Sequence, residues 1–322
     1  MIYKTKGNLN EAYKRRFLED LDFWLEAYFC HFKDLNYSLN TISLYKRVLN
    51  EFREYSLEFC DEMQFKEIKT SYISNFLSYL ETRSKNHKKF SKKTKLTYLR
   101  AITSFFTFIN ENNEDLFEFS FNFSKLNTRN EKREEKLEYL SDDEIQRLIN
   151  TIERLKIQKE DYASFRNALL IKLVLYAGLR ISESLKVRLC DFNEDEEDML
   201  KINILAKGGK EQFAYIKKAY IDDELDYFKE YLKESDYIMQ THNGKLLNRS
   251  NAFIIINRIY AKALIHKKGL HLLRHILAMK LTSQNVNLVV IQKILRHASM
   301  QTTTIYAKAN NEMLRKALGN LG

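Results

Sequence analysis

Proline is absent from this 322-residue chain and glycine occurs only eight times, where average usage would supply roughly 5% and 7%. The missing prolines exclude collagen, polyproline segments and Pro-rich linkers, and with so few chain-bending residues helices should run with few interruptions. A mainly α protein is the expectation. Cysteine is scarce as well. Cys30, Cys60 and Cys190 are odd in number and far apart, so neither a disulfide framework nor a Cys-x-x-Cys metal site is supported, and a reducing cytoplasm fits. Long hydrophobic runs are missing too: the most apolar stretch, 168–179, is broken by Lys172, and the opening Met1-Ile2-Tyr3-Lys4 lacks the apolar core of a signal peptide. A soluble cytoplasmic protein without a membrane partner is expected.

What is present is a core-forming composition, 44% apolar and 13% aromatic, at a length where roughly 75% of the unfolded surface can be buried and two domains are the prior. The 53 Lys and Arg against 43 Asp and Glu leave a net charge of +10. That balance points to a polyanionic partner, and where the charge lies must identify it.

From about residue 10 to 120 the apolar residues recur at helical spacing. Phe17, Leu21, Trp24, Leu25 and Tyr28 share one face, and Leu44, Val48, Leu49, Phe52 and Tyr55 another, with Ser38 or Thr41 as cap. Two more periodic segments follow, Tyr72 to Leu80 and Leu96 to Ile109. Four helices are expected in a first domain, 1–123. The connection into the last of them, with its first turns, carries Arg83, Lys85, Lys88, Lys89, Lys92, Lys93, Lys95 and Arg100, with no acid between Glu81 and Glu111. Such a run is either a solvated loop or a set of phosphate contacts that add salt-sensitive affinity.

A polar linker of mixed charge over 124–140 precedes Ser141-Asp-Asp-Glu144, a capping box that opens the second domain, 141–322. There a Leu- and Ile-rich helix should stop at Gly178, and another should begin near Ser182. The period then changes to two: Leu200, Ile202, Ile204 and Ala206 alternate with polar or less buried neighbours, Gly208-Gly209 suits a two-residue hairpin turn, and Phe213 and Tyr215 alternate on the return. After an Asn243-Gly244 turn come a helix capped by Ser250 and helices over 270–283, 286–295 and about 302–318. The sequence contains no internal repeat.

The segment His271-Leu-Leu-Arg274-His275 puts two histidines and an arginine on one helical surface. Zinc ligation, packing histidines and an anion site are all open readings; the first lacks a third ligand and a metalloprotease glutamate, and the last would use the planar fork of Arg274. Arg180 in Ala177-Gly178-Leu179-Arg180-Ile181-Ser182-Glu183 follows a Gly-capped helix end, Lys207 sits at a hairpin tip, and His297 and Tyr306 lie downstream. Singly each is weak.

In this order they resemble the tyrosine recombinase (phage integrase) family, which includes the Xer resolvases. The resemblance covers about 141–310, and the helices over 10–120 look like the family's SAM-like core-binding domain. It implies Arg180, Lys207, His271, Arg274, His297 and Tyr306 as catalytic residues, with Glu183 in support. It further implies a nucleophilic Tyr306, Arg180 and Arg274 on the phosphate, Lys207 as acid, and no metal or other cofactor; the sequence also lacks an ATP-binding loop. The implied partner is double-stranded DNA at a specific site, bound within a C-shaped clamp by a homotetramer that holds two duplexes, with an accessory DNA translocase as a further partner. Two departures stand out: Arg296 occupies a position usually Gly, and Ile276 one usually Thr or Ser. The compact size favours a Xer-type role in chromosome dimer resolution, hence in segregation and cell division. An integrase or transposase of a mobile element, a type IB topoisomerase and a non-catalytic DNA-binding protein are the alternatives.

Overall fold

The computed structural model describes residues 2–32, 37–60, 63–83, 90–123, 138–205, 211–297 and Thr303, with side chains described from residue 12 onward. It is mainly helical with one small antiparallel sheet, and the chain divides into two units, Met1–Arg133 and Glu134–Gly322. Among the described residues no helix is long and apolar enough to cross a membrane.

The first unit contains α1 (Ile2–His31), α2 (Leu39–Phe59), α3 (Thr70–Arg83) and α4 (Lys92–Asn112). Helix α1 begins earlier than the periodicity predicts. Ser38 is the cap of α2, its hydroxyl accepting from the Thr41 amide at 3.2 Å. The predicted faces are buried around Phe52, whose ring meets Tyr72, Phe76 and Phe106 edge-on at 5.9, 5.2 and 6.1 Å. These are preferred aromatic geometries that add to the burial itself. After α4 the chain folds back: Asn110 bonds both backbone groups of Phe119, and the Phe119 ring lies 4.6 Å from Phe106. That aromatic flap has a period of two in Phe117, Phe119, Phe121 and Phe123, which the helical expectation does not include.

In the second unit α5 (Asp142–Lys159) starts on the predicted capping box, with Glu144 N to Ser141 Oγ at 3.2 Å and Ser141 N to Glu144 Oε2 at 2.7 Å. Helix α6 (Tyr162–Tyr176) packs against α5 and against four later helices, α7 (Ile181–Ser184), α8 (Asp222–Tyr231), α9 (Arg249–Lys262) and α10 (Leu272–Ser283); α11 (Leu288–Ile294) then packs on α10. A helix enclosed on all sides has no polar face, which is why α6 reads as a nearly unbroken apolar run from Ala168 onward. Its exception, Lys172, is buried and bonds Glu224 Oε1 at 2.7 Å and Glu153 Oε1 at 2.8 Å, while Lys156 reaches the same two carboxylates at 2.6 and 2.7 Å. Two cations and two anions thus tie α5, α6 and α8 together. The cap of α9 is Asn248, which exchanges bonds with Asn251, and not the predicted Ser250: with Arg249 as the first helical residue, the capping side chain must stand one position before it.

The sheet has the order β1-β2-β3, from Phe192–Glu194, Met199–Leu205 and Glu211–Lys217. Leu200, Ile202 and Ile204 point inward as predicted, but on β3 the inward residues are Ala214 and Ile216. Phe213 and Tyr215 stand outside, with the Lys201 ammonium 4.7 Å from the Phe213 ring. Leu205 pairs with Glu211, whereas an unbroken ladder into a two-residue turn at Gly208-Gly209 would need Leu205 opposite Gln212. A one-residue change of phase exchanges the faces of a strand, and burial of Ile216 selected this one. The predicted turn itself, 206–210, lies outside the described residues, as do most of the linker and of the last predicted helix.

Replacing Glu224 with Ala should leave two buried ammonium groups with Glu153 as their shared carboxylate and destabilise the second unit by about 3–5 kcal/mol, read as a lower urea midpoint. An unchanged midpoint would show the cluster to be energetically idle.

Candidate active site

Helix α6 is capped by Ala177, and Gly178 turns the chain at φ +60°. The positive φ calls for glycine, and a Cβ at Gly178 would also push on the Leu277 Cδ2 methyl, 2.8 Å away. The turn delivers Arg180 to the N-cap of α7, where Glu183 accepts from the Arg180 amide at 2.8 Å and from its guanidinium Nη1 at 2.6 Å. Arg180 Nη2 donates to the carbonyl of Arg296.

Helix α10 sits against α6 and places Arg274 beneath that turn. The buried guanidinium donates from Nη1 to the Gly178 carbonyl and from Nη2 to the Leu295 carbonyl. Arg274 therefore joins the end of α6 to the end of α11. Buried cations must be hydrogen-bonded to be tolerated, and carbonyls at helix C-termini carry the partial negative charge that suits them.

His297 follows α11. Its Nδ1 is 3.0 Å from Thr303 Oγ1, and Gln292 Nε2 donates to its carbonyl at 3.1 Å. Burial and then the charges of Arg274 and Arg180, with His275 and Arg296 adding to them, push His297 down to about 4. His275 is likewise pushed down to about 4, by burial, His271 and Arg274. His271 is exposed at the N-cap of α10 with its ring 5.3 Å from that of His275. Gly269, at φ +129°, makes room for it: a Cβ there would lie 2.8 Å from His271 Cε1. Glu183 is raised by burial, but the Arg296 charge and the Arg180 bonds outweigh this and hold its carboxyl below the usual range.

Of the predicted site residues, the fold brings Arg180, Glu183, Arg274 and His297 into one cluster and His271 to its edge through His275. Lys207 and Tyr306 lie outside the described residues. Of the departures, Ile276 is a core residue, whereas Arg296 belongs to the cluster, its guanidinium donating to Glu183 Oε2 at 3.0 Å and to the Gly178 carbonyl at 2.9 Å. Sequence reasoning does not find Thr303, since a lone threonine near a histidine carries no distinguishing signal. Among the described residues no group of three or more His, Cys, Asp or Glu side chains is placed to hold a metal ion.

In the first unit the basic segment divides. Lys95 is paired with Glu81 at 2.8 Å and Arg83 lies 3.6 Å from Glu54. Lys92, Lys93 and Arg100 are exposed, while Lys85, Lys88 and Lys89 fall outside the described residues. Arg100 borders a groove shared with Tyr37 and Tyr45. Lys92, Lys93 and Lys95 occupy the first turn of α4, the positive end of its dipole, where cations cost stability unless an anion is present.

Residues 138–313 match the phage integrase family and residues 23–108 the phage integrase SAM-like domain. The tyrosine recombinase XerH of Campylobacter jejuni is 28% identical over 292 residues, covering 88% of this chain and 77% of that protein. XerH of Helicobacter pylori is 26% identical, covering 98% and 87%. The crystal structure of XerH site-specific recombinase bound to palindromic difH substrate, in a post-cleavage complex, superposes with a TM-score of 0.73 at 25% identity, over 88% of this chain and 80% of that one. The family match covers more than half of the chain, and this chain belongs to the phage integrase family of tyrosine recombinases.

Proposed function

We propose that this chain is a Xer-type site-specific recombinase that cuts and rejoins duplex DNA through a 3′-phosphotyrosyl link to Tyr306 and acts in resolving chromosome dimers. The observation that carries the reading is the cluster of Arg180, Arg274, Arg296 and His297 with one carboxylate, Glu183, which is bonded to Arg180 and Arg296: a cationic, donor-rich site suited to a phosphate diester.

The Tyr306 oxygen attacks phosphorus, a P–O bond to tyrosine forms, and the bond to the 5′-oxygen breaks. Lys207 supplies a proton to that departing oxygen, and His271 assists removal of the tyrosine proton. The 5′-hydroxyl of a partner strand later attacks the phosphotyrosyl link and releases Tyr306. Bond energy is kept in the covalent link, so no nucleotide is consumed. Charge gathers on the nonbridging oxygens in the transition state, where Arg180 and Arg274 offset it. Exchange between two duplexes breaks four strands with one tyrosine each, which is why the working assembly is a homotetramer; a DNA translocase that brings two sites together is a fitting accessory partner. The lysines at the start of α4 add phosphate contacts from the first unit.

His297 is neutral at physiological pH, so it serves as a hydrogen-bond donor and not as a cation. A Thr303 hydroxyl that donates to Nδ1 fixes the tautomer with its proton on Nε2, the form that can donate to a phosphate oxygen.

Three outcomes test this reading. A duplex selected from a random library and nicked near its cleavage position should trap a protein–DNA adduct on a denaturing gel with the natural chain and none with Tyr306→Phe; an adduct in the variant rejects the nucleophile. Thr303→Val should slow cleavage by about tenfold while duplex affinity stays within about twofold, and equal loss of both would reject the tautomer role. Lys92→Ala with Lys93→Ala should weaken binding of unrelated duplexes alike and reduce the slope of log K against log salt by about 0.9 for each phosphate no longer neutralised. An unchanged slope removes them from the interface.

A further inference from the structure

Helix α11 ends in a left-handed turn in which Arg296, at φ +50°, donates its amide to Lys293 O at 3.0 Å, and the His297 amide donates to Gln292 O at 3.0 Å. This paired pattern closes many helices, and the left-handed position is usually filled by glycine, because a Cβ there crowds the following carbonyl. The turn would close as well with glycine, and nothing in helix termination requires an arginine.

The side chain is where the arginine acts. It is 5% exposed, a deep position for a guanidinium, and its contacts reach both neighbouring arginines. Arg296 Nη2 bonds Glu183 Oε2 at 3.0 Å, and Glu183 Oε1 holds Arg180 Nη1 at 2.6 Å. The same Nη2 is 2.9 Å from the Gly178 carbonyl, which also accepts from Arg274. The Arg296 carbonyl accepts from Arg180 Nη2. Every one of these links passes through Arg296 or an acceptor that it shares.

Charge makes the same point. Glu183 is the one carboxylate paired with this cluster among the described residues. With Arg180 as its only cationic partner it would offset much of the charge that Arg180 is to present to phosphate. With Arg296 beside it, the carboxylate is neutralised from behind and can still orient Arg180. Three arginines and one glutamate thus leave the site with a net positive charge.

We propose that Arg296 is a positioning residue for strand cleavage: it holds Glu183 and the Gly178 carbonyl in place, so that Arg180 and Arg274 form one preorganised phosphate cradle. The inference rests on assigning cleavage to this pocket. It does not require Arg296 to touch DNA.

The test compares single-turnover cleavage of the selected nicked duplex with affinity for the same duplex, for the full chain and for Arg296→Gly and Arg296→Lys. Glycine suits the left-handed turn, so R296G should keep its cooperative thermal transition, and Lys keeps a charge without the fork. R296G is expected to cleave about tenfold or more slowly, since small displacements of positioned groups are costly to rate, with affinity within about twofold. R296K should fall between. The pH profile separates positioning from bulk stability. Arg296 and Arg180 face Glu183 directly, Arg274 shares the Gly178 acceptor, and His275 and His297 are already neutral well above pH 4. Loss of Arg296 frees burial to raise the Glu183 carboxyl, so its protonation starts at higher pH and the acid limb of the cleavage rate moves toward neutrality in R296G. A natural rate in R296G with an unmoved limb overturns the proposal, as does a rate loss matched by an equal affinity loss. If R296G does not fold, R296K decides by the same criteria. Tyr306→Phe in the same assay keeps the two readings apart: an adduct there rejects Tyr306 as the nucleophile of the proposed function, whereas no adduct there with an unaffected R296G rejects only the role of Arg296.

Discussion

The second unit is organised around the problem of keeping arginine charge buried, since the side chains of Arg274 and Arg296 both lie in its interior. Arg274 is held by carbonyls at the ends of α6 and α11. Leu295 caps α11, where carbonyls lack partners within the helix and carry the negative pole of its dipole, and Gly178 lies in the turn just past the end of α6. One guanidinium therefore satisfies two helix termini while the termini stabilise a charge that the interior would otherwise reject. The position of Arg180 depends on the same arrangement, because its turn begins at Gly178 and its guanidinium ends on the carbonyl of Arg296.

A cationic site has a second effect on its own histidines. Burial together with the surrounding guanidinium charges drives His275 and His297 to about 4. Burial and the neighbouring guanidiniums thus keep both rings neutral at physiological pH. A neutral imidazole donates a hydrogen bond without adding charge, and the proton it carries is set by its other nitrogen, here beside Thr303. Positive charge stays on the arginines, where the fork geometry matches phosphate oxygens.

Much of this was legible in the sequence where local physics decides. The heptad-like apolar spacing of Phe17 to Tyr28 and Val48 to Tyr55 marks buried helix faces, and the Ser141–Glu144 box marks the start of α5, because both signals are complete within a few residues. The Gly178 turn was readable for the same reason, whereas Arg180, Glu183, Arg274 and His297, spread over more than a hundred residues, stood out only through their resemblance to the tyrosine recombinase family. Elsewhere the outcome depended on distant partners. The inward face of β3 was set by Ala214 and Ile216 meeting the core, so the larger Phe213 and Tyr215 stand outside against the usual weighting by size. Lys172 reads as a break in an apolar stretch until Glu224, 52 residues later, is seen to accept from it. The flap from Phe117 to Phe123 follows no helical period and was recognisable only once Asn110 and Phe106 were in place around it.

Arg296 shows the division most clearly. From the sequence alone it is a departure at a position where glycine is usual, able either to crowd a turn or to add a contact. The backbone does adopt the left-handed turn, and the side chain is accommodated because Glu183 and Gly178, more than a hundred residues earlier, provide acceptors beneath it. Capping, periodicity and backbone preference act over a turn or two, so most of the helices, the stop at Gly178 and the residue types suited to a phosphate are readable along the chain, while α8 is not. Which carbonyls and carboxylates those arginines share, and hence how much positive charge the site retains, was decided only by tertiary structure, because it depends on helix ends that are remote in the chain and adjacent in space.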